Sequence, residues 1–145
     1  ICSESWKGAK YEKVACCNCF YTTTFNFTKV SATSYTLQVT NPDGAFTKTG
    51  SLASIPGIPA SGDEGCYPYS GGTSTFSFVP PSSNVSFSTM ATQTAIKLDG
   101  DNTYIGYGAL QREFQIISIS ETEMYLRVQG TETGNAWYLK LKPAP

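Results

Sequence analysis

Apolar and polar residues alternate along several segments of the chain, with the period of two that is typical of half-buried β-strands. Tyr35, Leu37 and Val39 alternate with polar residues in one segment, and the same alternation occurs over residues 124–128 and 136–141. Helical periodicity is almost absent, and turn signals recur at intervals of roughly 8–12 residues. We therefore predict an all-β fold of about eight to ten short antiparallel strands, arranged as a barrel or, alternatively, as a β-sandwich.

Turn residues set the boundaries of these strands. Asn41-Pro42-Asp43-Gly44 ends one strand, because Pro fixes φ and Gly accepts a positive φ. Residues 121–123 are predicted as a hairpin turn, and residues 50–72, which are rich in Gly, Pro and Ser, as a long loop. The predicted strands cover residues 20–27, 35–40, 75–78, 85–88, 95–98, 103–107, 114–119, 124–128 and 136–141.

Length and charge narrow the class of protein. A chain of 145 residues is predicted to form one domain, spanning residues 1–145. The formal net charge is −1, so the chain lacks the basic character that nucleic-acid binding requires, and no nucleic-acid partner is expected. No apolar run is long enough for a transmembrane helix, so no transmembrane segment is predicted.

Histidine is absent from the sequence, which excludes the nucleophilic mechanisms that depend on an imidazole base and removes the commonest zinc and copper ligand. Most of the eleven acidic residues lie in predicted turns; only Glu12 and Glu113 are candidates for strands. Asp99-Gly100-Asp101-Asn102 resembles the start of a calcium loop but lacks the acidic residue that ends an EF-hand loop. We expect no enzymatic activity, cofactor or metal site.

Five cysteines occur in the chain: Cys2, Cys16, Cys17, Cys19 and Cys66. Three of them crowd into residues 16–19, which is a poor spacing for four zinc ligands, so disulfides are the favoured interpretation. Cys66 is then expected to pair with one member of the 16–19 cluster and Cys2 with another, which leaves one thiol over. Disulfides predict an extracellular, secreted or cell-surface protein. The sequons at Asn26 and Asn84 predict glycosylation if the source is eukaryotic.

Loop tyrosines are the candidate ligand-binding residues. A sugar ring stacks its apolar face on an aromatic side chain, and its hydroxyls need polar partners. The candidates are Tyr67, Tyr69, Tyr104, Tyr107 and Arg112. Gly106 and Gly108 beside two of these tyrosines would let a ligand approach the backbone closely. In the alternative interpretation, the tyrosines plug one end of the barrel or line its core.

Two other functions compete with sugar binding. A small barrel can hold one apolar ligand, although its large inward residues would tend to fill it. The expected inward residues are Phe25, Phe27, Leu37, Phe76, Phe78, Phe87 and Ile116, and Trp137 is expected to point inward rather than Tyr138. Low charge and an unpaired thiol would also suit a homo-oligomer or a structural subunit of an extracellular assembly.

Several short motifs follow one another in a recognisable order: Cys19-Phe20, Gly65-Cys66 with Pro68, residues 96–100, residues 104–107 and residues 137–141. Across residues 16–143 the chain resembles the lipocalin-like accessory domains of Bacteroidetes surface glycan-binding lipoproteins and secreted β-glucanases. The resemblance implies a lipocalin-like antiparallel barrel that binds a polysaccharide or acts as a spacer. Non-catalytic glycan binding or display is therefore the first expectation, and a carrier of a small apolar ligand or pigment is the second.

Overall fold

A computed structural model describes residues 18–48, 64–82, 93–130 and 136–145, together with the backbone of residues 5–7 and 10–12. The described chain is almost entirely antiparallel β-structure, which confirms the predicted fold class. Its elements are β1 (Ser5–Lys7), β2 (Lys10–Glu12), α1 (Asn18–Thr22), β3 (Thr24–Lys29), β4 (Tyr35–Thr40), β5 (Ala45–Lys48), β6 (Glu64–Tyr67), β7 (Gly71–Val79), β8 (Ala95–Leu98), β9 (Leu110–Ile119), β10 (Met124–Gly130) and β11 (Ala136–Leu141).

Seven strands form the main sheet, in the order β11-β10-β9-β8-β7-β4-β3, and this sheet curls into a half-barrel. Every neighbouring pair in it is antiparallel. Since the order contains seven strands, its two edge strands, β3 and β11, run in the same direction. The pairs β1–β2 and β5–β6 form two separate two-stranded sheets.

The concave face of the curled sheet carries the core. Leu37 of β4, Ile96 of β8 and Phe114 of β9 are almost completely buried there, as are Leu126 and Val128 of β10. Among the expected inward residues, Leu37, Phe76 and Ile116 are buried, whereas Phe25 and Phe27 are partly buried against the core. Phe78 contacts Phe76 and Tyr35 but is 47% exposed at the end of β7. Phe87 and the predicted strand over 85–88 lie outside the described residues.

A disulfide joins Cys19 of α1 to Cys66 of β6, with the two Cα atoms 6.0 Å apart. This confirms that Cys66 pairs with one member of the 16–19 cluster; Cys2, Cys16 and Cys17 lie outside the described residues. The prediction that the first strand begins at Phe20 is wrong, because residues 18–22 form a short helix. Phe20 packs against Phe46 of β5, so tertiary contacts and the disulfide fix a segment whose period-two pattern had suggested a strand.

Other boundaries also differ from the predictions. Residues 103–107 were predicted as a strand, but they form irregular, buried chain that lies between β8 and β9. The end of the predicted 50–72 loop is strand β6 followed by the start of β7, whereas residues 49–63 lie outside the described residues. The turn at Asn41–Gly44 is confirmed, with Gly44 at a φ of 90°. The hairpin turn before β10 is confirmed too, since the Ser120 amide donates to the Glu123 carbonyl.

Candidate functional site

Tyr104 and Tyr107 are placed in the core rather than on the surface. Their exposed fractions are 3% and 5%, respectively. The Tyr104 hydroxyl donates to Asn41 Oδ1 at 2.8 Å, and the Thr23 hydroxyl donates to the same oxygen at 2.8 Å. Burial raises the pKa of Tyr104 to about 12, against the smaller lowering effect of these hydrogen-bonding partners. In this arrangement neither ring presents a face on which a sugar can stack.

Tyr69 and Arg112 meet at the loop that follows β8. The Arg112 guanidinium donates to the carbonyls of Thr103 and Asp101 and lies 3.7 Å from the Asp101 carboxylate. The Tyr69 hydroxyl donates to the Asn102 carbonyl. These contacts hold the loop in place. Both side chains therefore have a structural task, and only a part of each faces solvent.

Burial shifts the pKa of both groups in this cluster. It raises the pKa of Tyr69, against the lowering influence of the Arg112 charge. It lowers the pKa of Arg112, against the raising influence of Asp101 and Tyr69. Tyr67 lies nearby on β6, is half-buried and packs against the core. The predicted site residues thus do not converge on one exposed surface; Tyr69 and Arg112 come together, while Tyr107 packs against Phe46 and Trp137 elsewhere.

A groove of about 880 Å³ opens between the two edges of the half-barrel. One wall consists of α1 and β3, which contribute Phe20, Tyr21, Phe25 and Phe27. The other wall consists of the β10–β11 hairpin and the chain that follows it. The charged side chains around the groove are two acids and two bases, Glu121, Glu123, Lys140 and Lys142, so the groove has no net charge.

An exposed aromatic surface forms the rim of this groove on the β10–β11 side. The register places Tyr125 opposite Lys140 and Arg127 opposite Tyr138, so these four residues share one face of the hairpin, on which Arg127 itself is buried. The rings of Tyr125 and Tyr138 have centroids 6.0 Å apart, and Lys140 Nζ lies 5.0 Å from the centroid of the Tyr125 ring. Tyr138 is 54% exposed. We call Tyr125, Tyr138 and Lys140 the aromatic platform.

The aromatic platform is not among the site residues predicted from the sequence. Tyr138 enters those predictions only as the neighbour of Trp137 that is expected to point outward. Trp137 lies on the same face as the buried Leu139 and contacts Tyr107, with their ring centroids 5.1 Å apart, but it is 38% exposed, so it is only partly inward. The alternation in β10 and β11 places Tyr125 and Tyr138 each on the polar face of its own strand. That signal was available, but their proximity depends on the register between the two strands.

The remaining predicted features are placed as follows. Asn26 is exposed on β3, whereas Asn84 lies outside the described residues. Glu113 lies on β9 and accepts hydrogen bonds from the amide and hydroxyl of Ser82. Within the described parts of the chain, no cluster of three or more acidic, His or Cys side chains is arranged to hold a metal ion. None of the described helices is long and apolar enough to cross a membrane.

Comparison with known protein families and with curated proteins finds no match for this chain. The resemblance to lipocalin-like accessory domains therefore stays a prediction. The disulfide is compatible with an extracellular protein, because such bonds persist in oxidising compartments.

Proposed function

We propose that this protein is an extracellular, non-catalytic glycan-binding domain, and that the aromatic platform contacts the sugar. The observation that carries the proposal is the contact between Tyr125, which is partly buried, and Tyr138, which is 54% exposed, on one face of the β10–β11 hairpin. Burial of Tyr104 and Tyr107 moves the proposed site away from the loop tyrosines that the sequence had suggested.

The platform offers the two kinds of contact that a sugar needs. Each tyrosine combines an apolar ring, on which the apolar face of a sugar can stack, with a polar hydroxyl that can stay in contact with water. Lys140 has three ammonium donors for ring hydroxyls, although its contact with Tyr125 also orders that ring. The balanced charges of Lys140, Lys142, Glu121 and Glu123 favour a neutral glycan over a strongly anionic one.

Strand geometry makes the platform rigid. Between the outward residues, Leu126 and Leu139 pair across the hairpin and are buried in the core. A site built on strands is held more precisely than one built on loops. The cost of ordering Tyr138 on binding is therefore small, because the backbone beneath it is already fixed.

The test is a glycan-array screen of the oxidised protein, followed by titration of the best neutral glycan. We expect Tyr138→Ala to weaken binding by about two- to tenfold, the effect of losing one aromatic contact worth about 0.5–1.5 kcal/mol. Phe78→Ala is the matched control, because Phe78 is also a half-exposed aromatic on a strand but lies on β7. No glycan binding by the parent protein, or equal losses in both variants, would refute the proposal.

A second function, the carriage of a small apolar ligand, is favoured by the groove itself. Its volume of about 880 Å³ and its aromatic wall suit a ligand of modest size. Native mass spectrometry of the protein as purified tests this alternative. The carrier function would be favoured over glycan binding if an apolar molecule stays bound to the Tyr138→Ala variant but is absent from the Phe25→Asp variant.

A further inference from the structure

The edge strand β11 carries large exposed side chains. It is the last strand in the order of the main sheet, and among the described strands only β10 pairs with it. Trp137 is 38% exposed and Tyr138 is 54% exposed, so neither side chain is fully covered. The outer side of an edge strand presents backbone amides and carbonyls that pair readily with a strand of another chain. β11 is therefore suited to accept a further strand.

The opposite edge strand of the sheet, β3, differs in chemistry. Its aromatic side chains are partly buried against the core, and the side chains that it exposes are polar: Thr24, Asn26, Thr28 and Lys29. Aromatic side chains stabilise strand pairs by contact across the two strands. Because β11 exposes two aromatic side chains and β3 exposes none, β11 is the better edge for a partner strand.

The sequence of β11 is complementary to itself in the antiparallel direction. When Leu139 lies opposite Leu139 of a second copy, Tyr138 of each copy lies opposite Lys140 of the other. On the other face of the strand, Trp137 of each copy then lies opposite Leu141 of the other. Paired residues share a face, because their numbers differ by an even count and side chains alternate along a strand. Aromatic rings thus meet ammonium groups on one face, and apolar side chains meet each other on the other.

The contact between Tyr138 and Lys140 of a second copy has a precedent within the chain. Tyr125 lies opposite Lys140 in the β10–β11 register, and the Nζ atom is 5.0 Å from the centroid of its ring. An ammonium group in such a position is attracted by the face of the ring. A lysine on an edge strand normally discourages pairing. In this register it would lie between two tyrosine rings, so it would stabilise the pair instead.

The neighbouring registers are less favourable. A register with Lys140 opposite Lys140 brings two like charges together, which destabilises a strand pair. A register with Tyr138 opposite Tyr138 places Lys140 opposite Ala136, where it has no ring to contact. A slip of one residue would place the apolar face of one copy beside the polar face of the other. The register centred on Leu139 is therefore the one that the side chains select.

We propose that two copies of this chain form a dimer by antiparallel pairing of β11 with β11, with Leu139 at the twofold axis. The pairing joins the two main sheets into one continuous sheet. A twofold interface uses the same surface on both copies, so the assembly closes at two and does not grow into a fibre. Tyr138 stays on the face that carries the aromatic platform, and the inference does not rest on glycan binding.

Sedimentation equilibrium of the full oxidised chain over a range of concentrations tests the dimer. Free thiols are alkylated first, so that no disulfide can link two copies. We expect the mass to rise with concentration from that of one chain to that of two. Tyr138→Lys places a lysine opposite Lys140 at two symmetry-related positions and should weaken dimerisation about tenfold or more. Thr24→Lys is the matched control, because it adds the same charge to an exposed position of β3, and it should dimerise like the parent.

A charge exchange tests the register itself. Combining Tyr138→Lys with Lys140→Glu places opposite charges at both cross-copy pairs, so the double variant should recover the dimerisation that Tyr138→Lys loses. Amide hydrogen exchange on the parent keeps the test independent of how well the variants fold. The β11 amides that do not bond to β10 should exchange more slowly as the protein concentration rises.

Four results would overturn the proposal. They are a parent that stays monomeric at every concentration, exchange of these β11 amides that does not depend on concentration, a dimer that Thr24→Lys weakens as much as Tyr138→Lys, and a folded double variant that stays monomeric. Recovery in the double variant, together with slower exchange confined to β11, would establish the pairing.

Discussion

Gly106 is a position at which a single added methyl group should disturb both the backbone and the core. It has a φ of 74° within the buried segment that carries Tyr104 and Tyr107. A Cβ at this position would lie 2.8 and 2.9 Å from the two Cδ atoms of Leu139 on β11. Leu139 is itself buried beside the groove and pairs with the buried Leu126, so moving it away from the added methyl group would disturb that packing. Gly106→Ala should therefore strain the backbone and overpack the core at once.

The two costs can be estimated separately. A residue with a Cβ in the left-handed region costs about 1–2 kcal/mol relative to an ordinary conformation. Forcing extra volume into a packed core costs about 1–3 kcal/mol. We therefore expect Gly106→Ala to lower the free energy of unfolding by about 2–5 kcal/mol. Leu139 lies between Tyr138 and Lys140, so its displacement should also weaken glycan binding at the aromatic platform.

Gly100→Ala is the matched control. Its φ is not positive, and the nearest atom to an added Cβ is the Asn102 Oδ1 at 2.9 Å, the end of an exposed side chain that can move. The cost there should stay below about 1 kcal/mol. The assay is urea unfolding of the oxidised proteins, followed by tryptophan fluorescence and far-UV circular dichroism. Equal midpoints for the two variants would refute the packing argument.

Two further predictions follow from the buried network and the disulfide. Burial raises the pKa of Tyr104 from 10.0 to about 12. The neutral phenol therefore stabilises the fold fully below about pH 10, and this contribution to the free energy of unfolding, about 3 kcal/mol, is lost as the pH rises through about 12. Tyr104→Phe should flatten the alkaline fall in urea-unfolding stability, and an unchanged fall would contradict the assignment. Replacing both Cys19 and Cys66 with Ser should lower the free energy of unfolding by about 4 kcal/mol, because the disulfide restricts an unfolded loop between residues 47 positions apart. A loss below about 1 kcal/mol in calorimetry would contradict that estimate.

Sequence reasoning identified those features that depend on neighbouring residues. Alternation predicted β4, β10 and β11, because a strand that is buried on one face must repeat with a period of two. The turn at Asn41–Gly44 followed from the φ preferences of Pro and Gly. The pairing of Cys66 with the 16–19 cluster followed from counting cysteines, although only the structure selects Cys19.

Features that depend on distant contacts escaped prediction. Residues 20–22 were predicted as the start of a strand over 20–27, yet the disulfide to β6 and the packing of Phe20 on Phe46 hold them in the helix α1. Tyr104 was predicted to lie in a strand and to contact a ligand, but it is buried in irregular chain and its hydroxyl donates to Asn41 Oδ1. A pattern along the chain carries no information about which remote residue will supply that partner.

The division between the two sources of information is clearest at the aromatic platform. The sequence by itself determined that the chain builds antiparallel strands and that Tyr125 and Tyr138 each lie on the polar face of one strand. Their meeting at 6.0 Å required the register between β10 and β11, and the opening beside them required the curl of a seven-stranded sheet. Both are long-range properties: a slip of one residue in the pairing would turn one tyrosine to the opposite face, and the packing of buried residues such as Leu126 and Leu139 opposes that slip.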